Sequence, residues 1–123
     1  MVRILIIDND DLGAGELQAW LLKEGYRVDL VKTGSDGLTQ LQKMDYDVAV
    51  VNWQLPDMEG TELLLKIPNN PKTVKIIITG FSTDKVGKKA ADYGADDFLV
   101  KPVKAEELIT TVRERLRTIQ QER

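Results

Sequence analysis

Short runs of apolar residues recur along the chain and predict the strands of a sheet. The runs Arg3–Ile7 and Asp47–Val51 are almost continuously aliphatic, as is typical of strands that are buried on both faces. Two shorter runs, Lys75–Thr79 and Phe98–Val100, have the same character, whereas Tyr26–Val31 alternates between apolar and polar residues as an edge strand does. The pattern therefore predicts five strands, of which the central ones are parallel.

Helical patterns separate these predicted strands. Four segments place large apolar residues three or four positions apart, which is the spacing of one buried helical face. A further helix is predicted from about Asp84 to Gly94, where glycine ends the pattern. The apolar positions of the four segments are Leu17, Trp20 and Leu21; Leu38, Leu41 and Met44; Leu63, Leu64 and Ile67; and Leu108, Ile109, Val112 and Leu116.

Strand and helix alternate five times with short connections. This alternation predicts an α/β fold, a doubly wound five-stranded parallel sheet with the flavodoxin-like strand order 2-1-3-4-5. A chain of 123 residues with 42% hydrophobic residues favours a single domain, residues 1–123. Ligands of such sheets bind outside the carboxyl ends of the strands, so the residues that follow strands one, three, four and five are the candidates for function.

Composition narrows the chemistry. The chain has no cysteine and no histidine, which excludes disulfides, thiolate metal sites and imidazole catalysis. Its net charge of −3 provides no broad basic surface for nucleic acid, so we expect proteins or small ions as partners. The apolar runs are too short to span a bilayer and the first residues lack a signal-peptide pattern, which favours a cytoplasmic protein without membrane contact.

Polar residues with complementary chemistry follow the predicted strands. They are Asp8, Asn9, Asp10 and Asp11 after strand one, Asn52 after strand three, Thr79 and Gly80 after strand four, and Lys101 and Pro102 after strand five. Carboxylates hold a divalent cation, while a hydroxyl and an ammonium group bind phosphate oxygens. Each residue alone is an ordinary loop residue, but their coincidence at four strand ends predicts a site built for phosphoryl chemistry.

The sequence resembles the receiver domain of bacterial two-component response regulators. The resemblance lies in the blocks ILIIDND, DVAVVNWQLPDMEG, VKIIITG and GADDFLVKP, and it extends over essentially the whole chain. It implies the receiver fold and a phosphorelay in which an aspartate after strand three accepts a phosphoryl group from a histidine kinase with the help of Mg²⁺. It implies no enzyme with turnover of its own.

The resemblance also assigns roles to individual residues. Asp8 matches the first acid of the Mg²⁺ site, Thr79 the switch hydroxyl and Phe98 the switch aromatic residue. Lys101 matches the lysine that contacts the phosphoryl group, and Pro102 is expected to follow a cis peptide bond. The family's usual docking or dimer surface implies a role for the fourth helix, the fifth strand and the fifth helix.

Two departures from the family pattern fall on the chemistry itself. Asn52 stands where the family has the phosphoacceptor aspartate, and Asn9 stands where it usually has the second acid of the metal pair. A carboxamide has no anionic oxygen to attack phosphorus, so phosphoryl transfer to Asn52 is not expected. Neutral oxygens also weaken binding of a hard dication, so we expect no cofactor, or at most a weakened Mg²⁺ site at Asp8, with Asp10 as a minor compensating ligand.

Three functions are compatible with these residues. The first is an atypical receiver that is not phosphorylated at the usual position and acts by binding a histidine kinase, another signalling protein or a second copy of itself. The second is a conventional receiver, in which Asn52 results from an engineered exchange of aspartate or another residue accepts the phosphoryl group. The third is a phosphatase of the haloacid dehalogenase type, which the pair Asp8 and Asp10 with Thr79 and Lys101 resembles in part.

Overall fold

Parallel strands alternate with helices along the chain. The structure, a computed structural model, describes residues 1–67, 72–80 and 84–122, with side chains described to residue 119. The strands are β1 (Arg3–Ile7), β2 (Arg27–Val31), β3 (Val48–Asn52), β4 (Val74–Thr79) and β5 (Asp97–Val100). The helices are α1 (Asp11–Lys23), α2 (Gly34–Lys43), α3 (Gly60–Lys66), α4 (Asp84–Asp92) and α5 (Ala105–Glu122).

The five strands form one parallel sheet in the order β2-β1-β3-β4-β5, which confirms the predicted topology. Predicted and observed strand bounds differ by one residue at several ends. Strand β2 starts at Arg27 because the backbone N–H of Tyr26 donates to the oxygen of Leu21 at the end of α1. Strand β3 extends to Asn52, which pairs with Ile78 of β4, so the candidate phosphoacceptor position is the last residue of the strand itself.

Two hydrophobic layers cover the two faces of the sheet. Ile4 and Ile6 of β1 pack into the layer beneath α1 and α5, whereas Leu5 and Ile7 pack into the layer beneath α2 and α3. All four side chains are fully buried. Burial on both faces explains the unbroken aliphatic runs, because alternate residues point to opposite faces and neither face meets water.

Two aspartates fix the amino ends of the strands. Asp47, which precedes β3, accepts a hydrogen bond from the backbone N–H of Arg3 at 2.8 Å. Asp96, which precedes β5, accepts one from the backbone N–H of Lys75 at 2.8 Å. Each carboxylate therefore satisfies the N–H of a neighbouring strand and helps to set the register of the pair.

Glycine and aspartate residues mark several helix ends. Gly25 and Gly94 have φ of 90° and 99° and lie just after α1 and α4, where a left-handed residue ends a helix. Asp10 caps α1 by accepting from the backbone N–H of Gly13. Within the described ranges, no helix is sufficiently long and apolar to cross a membrane.

Candidate functional site

Asp8 is the buried centre of the site at the carboxyl edge of the sheet. It directly follows β1, and its backbone N–H donates to the oxygen of Val31 in β2. The residue is 2% exposed, and one carboxylate oxygen accepts from the backbone N–H of Asp10 at 3.0 Å. A buried carboxylate requires charge compensation as well as hydrogen bonds, and a single N–H is not sufficient for it.

Lys101 supplies that compensation. The backbone N–H of Lys101 donates to the oxygen of Thr79, which fixes the residue beside the end of β4. Its Nζ lies 3.2 Å from Oδ2 of Asp8 and 3.8 Å from Oδ2 of Asp10. The following bond to Pro102 is cis, as the family resemblance implies. The lysine is therefore directed at the acids after β1 rather than at Asn52.

Asn52 directs its amide along the loop that follows it. The side-chain NH₂ donates to the backbone oxygen of Gln54 at 2.8 Å and to Oδ1 of Asn9 at 3.4 Å. These two contacts join the candidate phosphoacceptor position to the loop after β1 through neutral groups. The arrangement can bind hydrogen-bonding partners, but it offers no nucleophile at Asn52.

The strand ends surround a cleft of about 360 Å³. It is lined by Asn9, Asp10, Asn52, Gln54, Thr79, Gly80 and Lys101. A second cavity of about 340 Å³ shares Lys101 with this cleft and is also lined by Asp8 and Pro102. The sequence-predicted residues thus converge as the topology requires, although the roles assigned to them stay predictions.

Phe98 occupies a different environment from the cleft residues. It pairs with Ile77 across β4 and β5 and belongs to the hydrophobic layer that also contains Ala90 of α4. Thr79, in contrast, is buried at the edge of the cleft with 1% of its surface exposed. Thr79 therefore lies at the cleft and Phe98 packs in the layer that contains part of α4, and the switch roles that the resemblance assigns to them stay predictions.

The available oxygen donors fit Mg²⁺ poorly. Asp8 offers a carboxylate whose two oxygens already face Lys101 and the N–H of Asp10, and Asn9 and Asn52 offer neutral amides. The carboxylate of Asp10 is half exposed and caps α1. In the described part of the chain, no three acidic residues are grouped closely enough to hold a metal ion.

Sequence reasoning missed a second polar cluster behind the cleft. Glu59, in the loop between β3 and α3, accepts a hydrogen bond from Nζ of Lys89 in α4 at 2.9 Å. This hydrogen bond is the main reason why the pKa of Lys89 is raised and the pKa of Glu59 is lowered. The two residues are 30 positions apart, so no local sequence pattern could have indicated their contact.

Asp57 was missed for a similar reason. Its two carboxylate oxygens accept from the backbone N–H groups of Gly34 and Ser35, both at 2.9 Å. The hydrogen bond from Gly34 is the largest cause of the lowered pKa of Asp57, and the one from Ser35 is the second largest. The loop after Asn52 is thereby tied to the first turn of α2.

Known proteins share the sequence pattern of this chain. A sequence model of the response regulator receiver domain matches residues 4–113. Response regulator ArlR of Staphylococcus aureus is 40% identical over 119 residues, which make up 95% of this chain and 53% of that protein. The chain spans about half the length of the curated relatives it matches.

Solved structures give the same result. A CheY-like receiver domain protein from Methanospirillum hungatei JF-1 superimposes with a TM-score of 0.93 and 33% identity, over 100% of this chain and 99% of that one. The beryllofluoride-activated NtrC4 receiver domain dimer superimposes with a TM-score of 0.90 and 30% identity, over 96% of this chain and 98% of that one.

Proposed function

The chain belongs to the response regulator receiver domain family, and on this premise we propose that it is an atypical receiver that works without phosphorylation at the usual position. Its function is then to bind a partner protein in a two-component pathway. The receiver fold supports membership of a two-component pathway, whereas Asn9 and Asn52 depart from the residues that phosphorylation in this family uses.

The position of Asn52 is the observation that carries this proposal. The residue ends β3, at the edge of the cleft, where the resemblance places the phosphoacceptor. Its NH₂ group donates to Gln54, and the remaining amide oxygen is neutral. Attack on phosphorus needs an oxygen that carries negative charge, and an amide oxygen provides too little.

Weak Mg²⁺ binding is the second part of the proposal. The ammonium group of Lys101 already balances the charge of Asp8, and Asn9 and Asn52 add no negative charge. A dication in this cleft would have to compete with Lys101 for the buried carboxylate. The site therefore favours an internal ion pair over a bound metal.

The conventional receiver is the second candidate, and one observation favours it. Thr79 and Lys101 line the cleft and Lys101 pairs with Asp8, so three residues to which the resemblance assigns roles in phosphoryl transfer lie together. The phosphatase alternative is weaker because the carboxylate of Asp10 accepts from Gly13 and faces Lys101, so it serves as a helix cap rather than as a free acid.

Partners are proposed from the family and from the exposed charges. A histidine kinase or another signalling protein is the expected partner, and a second copy could dock on α4, β5 and α5. The NtrC4 receiver named above is itself a dimer. On this face Arg115 of α5 pairs with Asp97 of β5 at 3.2 Å, whereas Arg113 pairs with Glu24 and lies toward α1. Of these two arginines, Arg115 therefore lies on the proposed surface.

Restoring the two carboxylates tests the proposed function. We expect the double variant Asn9→Asp/Asn52→Asp to take up a phosphoryl group from acetyl phosphate in a Mg²⁺-dependent manner, because Thr79 and Lys101 are already in place. The parent protein should stay unmodified. Intact-mass spectrometry after incubation with the donor detects the adduct.

The single variant Asn9→Asp is the matched control, since it restores the metal ligand without the nucleophile. It should remain unmodified under the same conditions. If the parent or this control acquires the adduct as readily as the double variant, Asn52 is not the determining position and the conventional interpretation with another acceptor, such as Asp8 or Asp10, replaces the proposal.

A further inference from the structure

Four side chains behind the cleft form one compact cluster, which we call the Trp53 cluster. It consists of Trp53 and Glu59 from the segment after β3, and of Lys89 and Tyr93 from α4 and its end. Glu59 accepts from Nζ of Lys89 at 2.9 Å, and it also accepts from the hydroxyl of Thr61. The cluster thus joins two elements that are distant in sequence.

Lys89 is held by three groups at once. Besides its bond to Glu59, its Nζ lies 6.0 Å from the ring centre of Trp53 and 5.7 Å from that of Tyr93. A cation within about 6 Å of an aromatic face is attracted by the ring. The charge of Lys89 therefore stabilises one specific arrangement of α4 against the loop. A purely apolar contact is less directional and would allow more arrangements.

The loop side of the cluster leads directly to the candidate phosphoacceptor position. Trp53 follows Asn52, and the backbone oxygen of Trp53 accepts from the N–H of Gly60. Gln54 and Glu59 pair as an isolated antiparallel bridge, which closes the loop on itself. A Cβ on residue 60 would overlap the backbone oxygen of Asn52, so glycine is required for this closure. Glu59 and the backbone at Asn52 thus belong to one closed loop.

We propose that Lys89 is a positioning residue that couples α4 to the loop after Asn52, so that the cleft and the α4 surface change conformation together without a phosphoryl group. The coupling would regulate the receiver proposed above, in which α4 belongs to the docking surface. It does not depend on whether Asn52 can be phosphorylated, so the two proposals fail separately.

Lys88 provides a matched control for the test. It neighbours Lys89 on the same helix, carries the same charge and is exposed, but it forms no ion pair with the residues that the structure describes. We compare Lys89→Met, Glu59→Gln and Lys88→Met with the parent. Methionine keeps the aliphatic stem of lysine and removes its charge, so the comparison isolates the ionic contacts.

Amide hydrogen exchange measured by NMR detects this coupling both in the loop after Asn52 and in α4. On the loop side it follows the N–H groups of Gly60 and Leu63, and on the helix side those of Tyr93 and Ala95, which are all hydrogen-bonded. Lys89→Met should accelerate exchange on the loop side by roughly two- to fivefold, the range expected for a partly exposed ion pair. Glu59→Gln should accelerate exchange on the helix side by a similar factor, because coupling between two sites is reciprocal.

A merely structural role predicts a different pattern. If Lys89→Met changes exchange on its own helix and leaves Gly60 and Leu63 unchanged, Lys89 stabilises α4 but does not couple it to the loop. If Lys88→Met accelerates loop exchange as much as Lys89→Met, the effect comes from net charge and the proposal is wrong. If the double variant Glu59→Gln/Lys89→Met shows the effects of the single variants multiplied together, the two residues act independently, which also contradicts it.

Discussion

The charge balance between Asp8 and Lys101 is the most consequential feature at the scale of single residues. Asp8 is 2% exposed and Nζ of Lys101 is 3.2 Å away. We expect Lys101→Met to lower the free energy of unfolding by about 1–3 kcal/mol, because a buried carboxylate would lose its cation and retain one backbone N–H. Urea denaturation followed by circular dichroism measures this loss.

The same substitution in the Asp8→Asn variant shows whether the loss of stability arises from the pair of Asp8 and Lys101. In Asp8→Asn there is no buried charge to compensate, so adding Lys101→Met should cost much less than it does in the parent. Lys104→Met, at an exposed position nearby, should change stability little in either background. An equal cost of Lys101→Met with and without the charge of Asp8 would show that the lysine stabilises the fold through packing instead.

Individual site residues could be predicted because strand ends are visible in the sequence. Asp8, Asn52, Thr79 and Lys101 each follow or end an aliphatic run, and a parallel sheet brings such positions to one edge. The partner of Lys101 could not be decided between Asp8 and Asn52, since both lie at that edge. The structure places it at Asp8, and the buried charge of that carboxylate explains why.

At the scale of elements, Asp57 ties the loop after β3 to the first turn of α2. Its carboxylate accepts from Gly34 and Ser35, while Thr33 caps the same helix by accepting from Asp36. We expect Asp57→Ala to cost about 1 kcal/mol, as loss of a helix cap does, since Asp57 itself is exposed and packs little. Thermal and urea unfolding would both report this change.

The pH dependence of this contribution follows from the lowered pKa of Asp57. A carboxylate whose pKa falls on folding stabilises the folded state above its ordinary pKa of 3.8 and loses that effect as the pH falls through its folded pKa. The difference between parent and Asp57→Ala should therefore be complete at neutral pH and shrink under acidic conditions. Asp45→Ala, at an exposed position before β3, is the control that should show no such difference at neutral pH.

The elements differ in how well the sequence predicts them. The edge position of β2 follows from its alternating pattern, and the ends of α1 and α4 follow from Gly25 and Gly94. The contacts of the loop between β3 and α3 could not be predicted, because Asp57 and Glu59 bind partners 22 to 30 positions away through side chains of ordinary composition. Long-range contacts of this kind depend on tertiary packing rather than on local pattern.

At the scale of the whole molecule, the response of stability to Mg²⁺ distinguishes an internal ion pair from a metal site. Millimolar Mg²⁺ should leave the melting temperature of the parent unchanged, because a ligand that does not bind cannot stabilise. The double variant Asn9→Asp/Asn52→Asp should be less stable than the parent without metal, since Asp8 then gains two like-charged neighbours, and it should recover on addition of Mg²⁺. Differential scanning calorimetry with and without the ion measures both effects.

A monovalent salt at equal ionic strength separates specific binding of Mg²⁺ from charge screening. A rise in melting temperature for the parent that occurs with Mg²⁺ and not with the monovalent salt would show that the protein binds Mg²⁺ although Asn9 and Asn52 are neutral. The proposed loss of the metal site would then be wrong, whatever the outcome of the phosphoryl-transfer experiment.

The overall architecture was the most predictable level. Continuous aliphatic runs indicate strands buried on both faces, and right-handed crossovers leave few strand orders for five such strands, of which 2-1-3-4-5 is the observed one. The side-chain contacts of the cleft were less predictable, because several polar residues lie at one edge of the sheet and the sequence does not decide which of them pair.

Asparagine at the end of β3 has a consequence for time. A phosphoryl group on a conventional receiver is a covalent record that persists after the kinase has dissociated, until hydrolysis erases it. A domain that works as proposed, with neutral Asn52 beside the pair of Asp8 and Lys101, keeps no such record. Its state follows the concentration of its partner and relaxes as fast as that partner dissociates. The output of such a domain therefore depends on the current concentration of its partner and not on earlier kinase activity.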